Sequence, residues 1–335
     1  MAGVSVRIRR EHQLPTAHAT LERRFGLMAE SLLFRTNDPA LLAAAEQSLG
    51  RFPVPAGDGR PLRVELYSGA TPDDVPAVGR ITHRVHDDLY LISGTSHDTA
   101  VVDVVHGVAV GFVSSATVAD EAMVRYAYIE AMGLSMLTRA RAYLTIHAAG
   151  VVRDGVGVVI GGPAGAGKST LAMACARRGF GVFAEDAVFV RVRPQGLELW
   201  GMPWTQRLLP DARELFPELV DHVALRRPNG ELKIEVDLDA VHPDRAVPCA
   251  APGPIVLLER GTGGPTRVVP VEAADDGGLE IHWPWDRGWT SELERGAERL
   301  GAGGVYRLHM NGTPDDAVDA LEAMLDGRDR STAGP

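Results

Sequence analysis

The sequence predicts an α/β protein, with a mixed sheet and flanking helices in its second half and a smaller α+β domain before it. Three observations lead to this prediction. A glycine-rich loop at residues 162–169 lies between an apolar, β-branched run and a helix-forming segment. Residues 62–113 alternate with the period of two that is typical of strands. A long apolar helical segment, 119–143, separates these two regions.

The first half mixes helix and strand signals. Residues 22–35 fit either a strand or a helix, because their apolar residues suit both periods. Asp38 as N-cap and Pro39 at the first helical position predict a helix that ends at Gly50. The domain boundary is placed near residue 140. This gives an N-terminal α+β domain over 1–140, a catalytic domain over 141–327 and a disordered tail over 328–335.

The loop at 162–169 reads Gly-Pro-Ala-Gly-Ala-Gly-Lys-Ser and fits the phosphate-cradling pattern G-x-x-x-x-G-K-[ST], the Walker A motif. Glycines let backbone N–H groups turn toward a polyphosphate, and the following helix N-terminus adds partial positive charge. Lys168 is expected on the β- and γ-phosphates of ATP, and the Ser169 hydroxyl on Mg²⁺. The alternative, a Gly/Ala-rich turn that binds nothing, is disfavoured by the flanking strand and helix. The predicted nucleotide-binding residues are Gly162, Pro163, Ala164, Gly165, Ala166, Gly167, Lys168, Ser169 and Thr170.

Two adjacent carboxylates follow the next predicted strand, residues 180–183. A strand that ends in Glu185 and Asp186 close after a phosphate loop is typical of sites that hold Mg²⁺ and polarise the attacking group. The alternative is a solvated acidic pair at a strand end. His147 lies on a strand predicted over 144–152, and a turn at 153–155 connects this strand to the one that leads into the loop.

Residues from about 147 to 191 resemble the catalytic core of the HPr kinase/phosphorylase family of bacterial P-loop kinases. The matching residues are Ile146-His147-Ala148, the loop at 162–169, and the stretch from Arg178 to Asp186. The resemblance implies a kinase that phosphorylates a serine hydroxyl with ATP and Mg²⁺. It assigns Glu185 as the carboxylate that takes the hydroxyl proton, Asp186 as the neighbour that helps hold metal, and His147 as a residue close to the phosphoryl site. The nearest likeness is to HPr-kinase-like proteins of peptide-modification systems.

The chain departs from that family at two places. Glu185 stands where the family has aspartate, which lengthens the side chain by one methylene. The second signature segment of the family is matched only loosely by residues 197–201, where Trp200 stands at the arginine position. Whether the reverse phosphorylase reaction occurs is therefore left open. Three further residues are candidates for a substrate, phosphate or metal contact: Lys233, Arg207 and Glu198. Only two of the 34 basic residues are lysines, Lys168 and Lys233. Lys168 belongs to the glycine loop, and Lys233 is either a second phosphate-facing or substrate-facing charge or a lysine that is present by chance.

Composition excludes several classes of function. The net charge of −10 argues against a nucleic-acid partner or an anionic membrane surface. The two cysteines give no disulfide framework or zinc site, and no signal peptide or membrane span is recognisable, so a cytoplasmic protein is expected. Trp283, Trp285 and Trp289 crowd one loop, which is either a packed cover of the sheet or a contact for a peptide or for adenine.

The sequence therefore predicts an ATP- and Mg²⁺-dependent kinase that acts on a hydroxyl, most simply serine or threonine of a peptide or protein. Two alternatives stay open. One is a kinase of a small metabolite such as a free amino acid or a sugar. The other is a nucleotide-gated ATPase or binding partner in a biosynthetic complex. The pattern also leaves open a homo-oligomer, the identity of the acceptor, and whether Glu185 or Asp186 is the base.

Overall fold

A computed structural model shows several sheets combined with helices. The structure describes residues 18–56, 59–70, 81–95, 97–227, 230–261, 263–271, 279, 281–285 and 288–332. The mixed α/β character that the sequence predicts is confirmed, and both large sheets contain parallel and antiparallel pairs. The division into two domains near residue 140 stays a prediction.

The first half is built on a seven-stranded sheet. Residues 22–35 form a hairpin rather than a helix, and it turns at Met28, whose φ is +56°. The predicted helix is confirmed as α1 (Pro39–Leu49). The Asp38 side chain caps it by accepting a hydrogen bond from the amide of Ala40. The strands are β1 (Leu21–Leu27), β2 (Glu30–Thr36), β3 (Leu62–Gly69), β4 (Thr82–His86), β5 (Leu89–Ser93), β6 (Thr99–Asp103) and β7 (Val108–Ser114), in the sheet order β1-β2-β3-β7-β6-β5-β4.

The predicted single helix over 119–143 is wrong in its bounds and its regularity. The chain instead forms α2 (Ser115–Val118), α3 (Glu121–Met123), a π-helical segment over Val124–Glu130, and α4 (Ala131–Ala140). Asp120 caps α3 by accepting from the amide of Met123. The helical path ends because Ala142 takes a φ of +55° and Tyr143 begins a strand.

The second half contains three further sheets. Its elements are β8 (Tyr143–Ile146), β9 (Ala149–Arg153), β10 (Val156–Gly161), α5 (Lys168–Arg177), β11 (Gly181–Ala184), β12 (Val188–Arg193), β13 (Gly196–Trp200), β14 (Thr205–Leu208), α6 (Ala212–Leu215), β15 (Ala224–Arg226), β16 (Leu232–Asp237), α7 (Leu238–Val241), β17 (Cys249–Ala250), β18 (Ile255–Arg260), β19 (Arg267–Pro270), β20 (Ile281–His282), α8 (Ser291–Leu300), β21 (Val305–Met310) and α9 (Pro314–Thr332). The sheet orders are β11-β9-β10-β18-β21-β19, β17-β13-β12-β8-β20 and β14-β16-β15.

Three sequence predictions in this half need correction. The strand predicted over 144–152 is two strands, β8 and β9, which belong to different sheets. The sequence also predicts a loop over 201–208, but its last four residues form strand β14, which pairs with β16. The final helix does not end at Gly327, so residues 328–332 continue α9 instead of forming a disordered tail, and residues 333–335 lie outside the described chain.

One of the hydrophobic core clusters contains residues from both halves of the chain. Side chains of the first sheet and of α4 pack together with Tyr143, Phe189 and Trp285 from the second half. Trp285 is 5% exposed, and its indole N–H donates to the Thr138 hydroxyl at 2.8 Å. Of the two roles predicted for the tryptophan loop, a packed cover of the sheet is therefore the one that Trp285 has. Within the described ranges, no helix is both long and apolar enough to span a membrane.

Candidate active site

The glycine loop connects a central strand to a helix. Strand β10 lies inside the six-stranded sheet, between β9 and β18, and the loop that follows it leads into α5. Gly162, Gly165 and Gly167 have φ values of +147°, +77° and +104°, which a residue with a side chain adopts only with strain. Gly167 is the N-cap of α5, so no N-cap side chain occupies the first amides of the helix. The loop thus presents free donors at a helix N-terminus, which is a general anion site.

The Lys168 side chain folds back into this loop. Its Nζ donates to the carbonyl oxygens of Gly162 at 2.8 Å and Pro163 at 3.2 Å, and the residue is only 6% exposed. Burial lowers the pKa of the Lys168 ammonium, against the opposing attraction of Asp186 and Glu185. The ammonium is therefore held over the loop by contacts that an incoming phosphate can replace.

Glu185 connects the loop to the end of β11. Its Oε1 accepts from the Ser169 hydroxyl at 3.2 Å, and its Oε2 lies 3.4 Å from Nη1 of Arg207. Its side chain is 3% exposed. Burial raises the pKa of Glu185 and the neighbouring Asp186 raises it further, whereas Arg207 opposes both effects. Both carboxylate oxygens are thus occupied by partners within the protein.

Asp186 differs from its neighbour in exposure and in partners. Its side chain is 58% exposed, and its Oδ1 lies 3.3 Å from Nδ1 of His147. The same nitrogen is 3.1 Å from the backbone carbonyl of Asp186, so Nδ1 carries the proton. The His147 ring is therefore oriented by Asp186. His147 does not lie on a strand as predicted, because β8 ends at Ile146 and His147 belongs to the connection between β8 and β9.

A buried chain of charges lies behind Glu185. Nη2 of Arg207 is 4.0 Å from Oε2 of Glu130, and Glu130 also accepts from the Ser48 hydroxyl at 3.0 Å. The Arg207 guanidinium packs 4.3 Å from the centre of the Tyr126 ring. Burial lowers the pKa of Arg207, but Glu185 and Glu130 outweigh burial and leave the pKa above its ordinary value. Arg207 therefore carries a permanent charge between two buried carboxylates.

The remaining candidates have different outcomes. Lys233 on β16 forms an ion pair with Glu231 at 3.8 Å, and its charge lowers the pKa of both Lys168 and Glu185. Glu198 on β13 is elsewhere: its carboxylate contacts the Trp200 indole N–H at 3.3 Å and Arg191 at 3.4 Å. These contacts connect Glu198 to β12 and to its own strand, and its metal-facing role stays a prediction.

Glu130 is a partner of this site that sequence reasoning missed. It stands alone among the buried residues Ala127, Tyr128, Ile129 and Met132, and a carboxylate in such a run is the signal that was available. Its partner could not be read from the sequence, because Arg207 is far away along the chain. Together these residues can hold a polyphosphate and a divalent cation and can accept a proton from a hydroxyl.

Removing the Arg207 charge is expected to destabilise the fold. In Arg207→Ala, Glu130 and Glu185 lose their buried counter-charge, so the free energy of unfolding should fall by about 3 kcal/mol or more. Urea denaturation of the wild type, Arg207→Ala, Glu130→Gln and the double variant measures this. Adding Glu130→Gln should recover part of the loss, because one of the uncompensated charges is then absent. Strictly additive losses would contradict the charge coupling.

Known protein families, curated proteins and solved structures share little with this chain. No protein-family model matches the chain, and no curated protein does. Among solved structures, the chain is similar to the Hpr(Ser) kinase/phosphatase from Coxiella burnetii. The match has 16% sequence identity, covers 57% of this chain and 99% of that chain, and has a TM-score of 0.32. A likeness at this level carries no argument about activity, so the function proposed below depends on the site itself.

Proposed function

We propose that this protein is a kinase that transfers the γ-phosphate of ATP to a hydroxyl, with Mg²⁺ as the cofactor. The observation that carries the proposal is the contact of Ser169 with Glu185, because it joins the phosphate loop to an acidic strand end. Lys168 and the loop amides neutralise the phosphates, and catalysis depends mainly on positioning and charge stabilisation. Lys233, whose charge acts on Lys168 and Glu185, is our candidate for a second ammonium at this site.

The residues present fit a magnesium ion. No group of three or more His, Cys, Asp or Glu side chains with metal-binding geometry occurs in the described part of the chain. Mg²⁺ does not need one, since it binds through one or two protein oxygens together with phosphate oxygens and water. Ser169, with Glu185 or Asp186, would hold it, and the ion would neutralise charge that develops on the phosphates.

We assign the two carboxylates in the reverse order from the family resemblance. Glu185 is buried and touches the proposed metal ligand Ser169, so it belongs on the metal side. Asp186 is exposed and is held by His147, so its carboxylate is the one that an incoming hydroxyl reaches. Asp186 is therefore our candidate for the general base, and Glu185 remains the alternative that mutation decides.

We propose that residues from both halves of the chain recognise the acceptor, in a cavity beside Arg207. A cavity of about 460 Å³ is lined by Ser48 and Glu130 from the first half and by Trp204 and Arg207 from the second. Its lining combines charged groups with an aromatic wall, which suits a peptide segment better than a highly charged metabolite. This supports serine or threonine of a peptide or protein as the acceptor and gives the first half a role in recognising it.

The proposal is tested by incubating the protein with ATP labelled at the γ-phosphate, Mg²⁺ and separate pools of acceptors. Peptides that contain serine or threonine, free amino acids and sugars form the three pools, and mass spectrometry detects the products. We expect a gain of one phosphoryl group in the peptide pool. A gain only in a metabolite pool would favour the small-molecule kinase. Release of phosphate without any modified acceptor would favour the ATPase, and no turnover in any pool would contradict a kinase.

A further inference from the structure

Strand β18 runs beside the strand that carries the phosphate loop. It pairs in parallel with β10, with Gly161 opposite Leu257, so both strands end at the same edge of the sheet. Side chains alternate along a strand, and Leu258 lies under the loop, 3.4 Å from where a Cβ on Gly162 would stand. The next residue on that face is Arg260, at the end of β18. Topology therefore brings an arginine to the loop.

The contacts of Arg260 agree with this placement. Its Nε donates to the carbonyl of Ala166 at 3.4 Å, and its Nη2 lies 3.6 Å from where a Cβ on Gly167 would stand. Its neighbour Glu259 is on the other face of the strand, where its carboxylate meets Arg307 at 3.3 Å. In the part of the chain that the structure describes, no carboxylate forms an ion pair with Arg260. The terminal nitrogens are left to bind something else.

Residues 261 and 263, which follow Arg260, are held by hydrogen bonds to Met310 and Asn311. The Asn311 amide donates to the carbonyl of Gly263 at 3.0 Å and accepts from the amide of the same residue at 3.4 Å. The amide of Gly261 also donates to the carbonyl of Met310 at 3.2 Å. These bonds fix the backbone at the end of β18. The guanidinium is therefore presented from a rigid edge and not from a loose loop.

We infer that Arg260 is a phosphate-binding residue that contacts the polyphosphate tail of the nucleotide from the β18 side of the loop. This inference rests on the proposed nucleotide site and extends it. A guanidinium presents two parallel N–H donors to phosphate oxygens, and its charge adds to that of Lys168. In a chain with a net charge of −10, two cations at one loop match a ligand that is itself strongly anionic.

The test measures the affinity of the wild type, Arg260→Ala and Arg260→Lys for two probes, ATP with Mg²⁺ and inorganic tripolyphosphate. Arg260→Ala should weaken both by about tenfold or more, because a charge-assisted hydrogen bond is lost. Lysine should restore most of that loss. Arg245→Ala is the matched control, since Arg245 also donates to one backbone carbonyl, that of Gly179, away from the loop. The melting temperatures of all variants should stay close to that of the wild type.

The two probes separate the possible failures. Equal affinities of wild type and Arg260→Ala would overturn the role of Arg260 and leave the nucleotide site intact. A loss for ATP without a loss for tripolyphosphate would place Arg260 on the base or ribose and overturn a phosphate contact. A wild-type chain that binds neither probe would overturn the nucleotide site and the role of Arg260 together.

Discussion

Replacement of Lys168 by alanine is expected to reduce phosphoryl transfer by roughly 100- to 1,000-fold or more, the cost of removing one preorganised charge donor from a reacting phosphate. The ammonium is buried, lies within the loop and is the one lysine of the motif. Its loss removes the group that would neutralise the β- and γ-phosphates. The measurement is the rate of ATP turnover at saturating Mg²⁺, together with binding of ATP.

The fold should survive this substitution. The two carbonyls that Lys168 contacts belong to Gly162 and Pro163, and Pro163 is exposed to water that can replace the ammonium. Arg178→Ala is a suitable control, because Arg178 follows the other end of α5 and pairs with Asp319 and Glu322. Circular dichroism should show an unchanged secondary structure. Undiminished turnover in a folded Lys168→Ala protein would contradict the proposed site.

Asp186→Asn is expected to lower kcat by roughly 100- to 10,000-fold, the range that a positioned general base contributes. The affinity for ATP with Mg²⁺ should change little, since the proposed metal contact falls to Ser169 and Glu185. Asparagine keeps the size of the side chain but has no site for the hydroxyl proton. Steady-state kinetics with the unphosphorylated acceptor peptide, and separate binding of the nucleotide, give both quantities.

Glu185→Gln provides the paired measurement. We expect this variant to need more Mg²⁺ and to recover part of its activity at high Mg²⁺, because it weakens the metal side of the site. Asp186→Asn should not respond to added metal. If the two responses are exchanged, Glu185 is the base, as the family resemblance assigns. Melting temperatures are needed for Glu185→Gln, because its carboxylate is the buried partner of Arg207.

Local signals explain why part of the site could be predicted. The loop, its strand and its helix are contiguous, so glycine spacing and hydrophobic pattern were sufficient to locate them. The pair Glu185 and Asp186 follows a short strand whose end the apolar run marks. The interruption of the predicted helix by a π-helical segment had no such mark. Neither did the break between β8 and β9, because an apolar run of nine residues looks the same in one sheet or two.

The amino-acid sequence by itself determined the glycine-rich loop at 162–169 with its flanking strand and helix, the acidic pair and the mixed α/β character of this chain. Each of these depends on neighbours a few residues apart, through backbone conformation and side-chain periodicity. Only the tertiary structure decided that Arg207 joins Glu130 to Glu185 and that Arg260 reaches the loop. Those contacts join residues far apart in the chain, and the sheet register that creates them is set by packing of the whole fold.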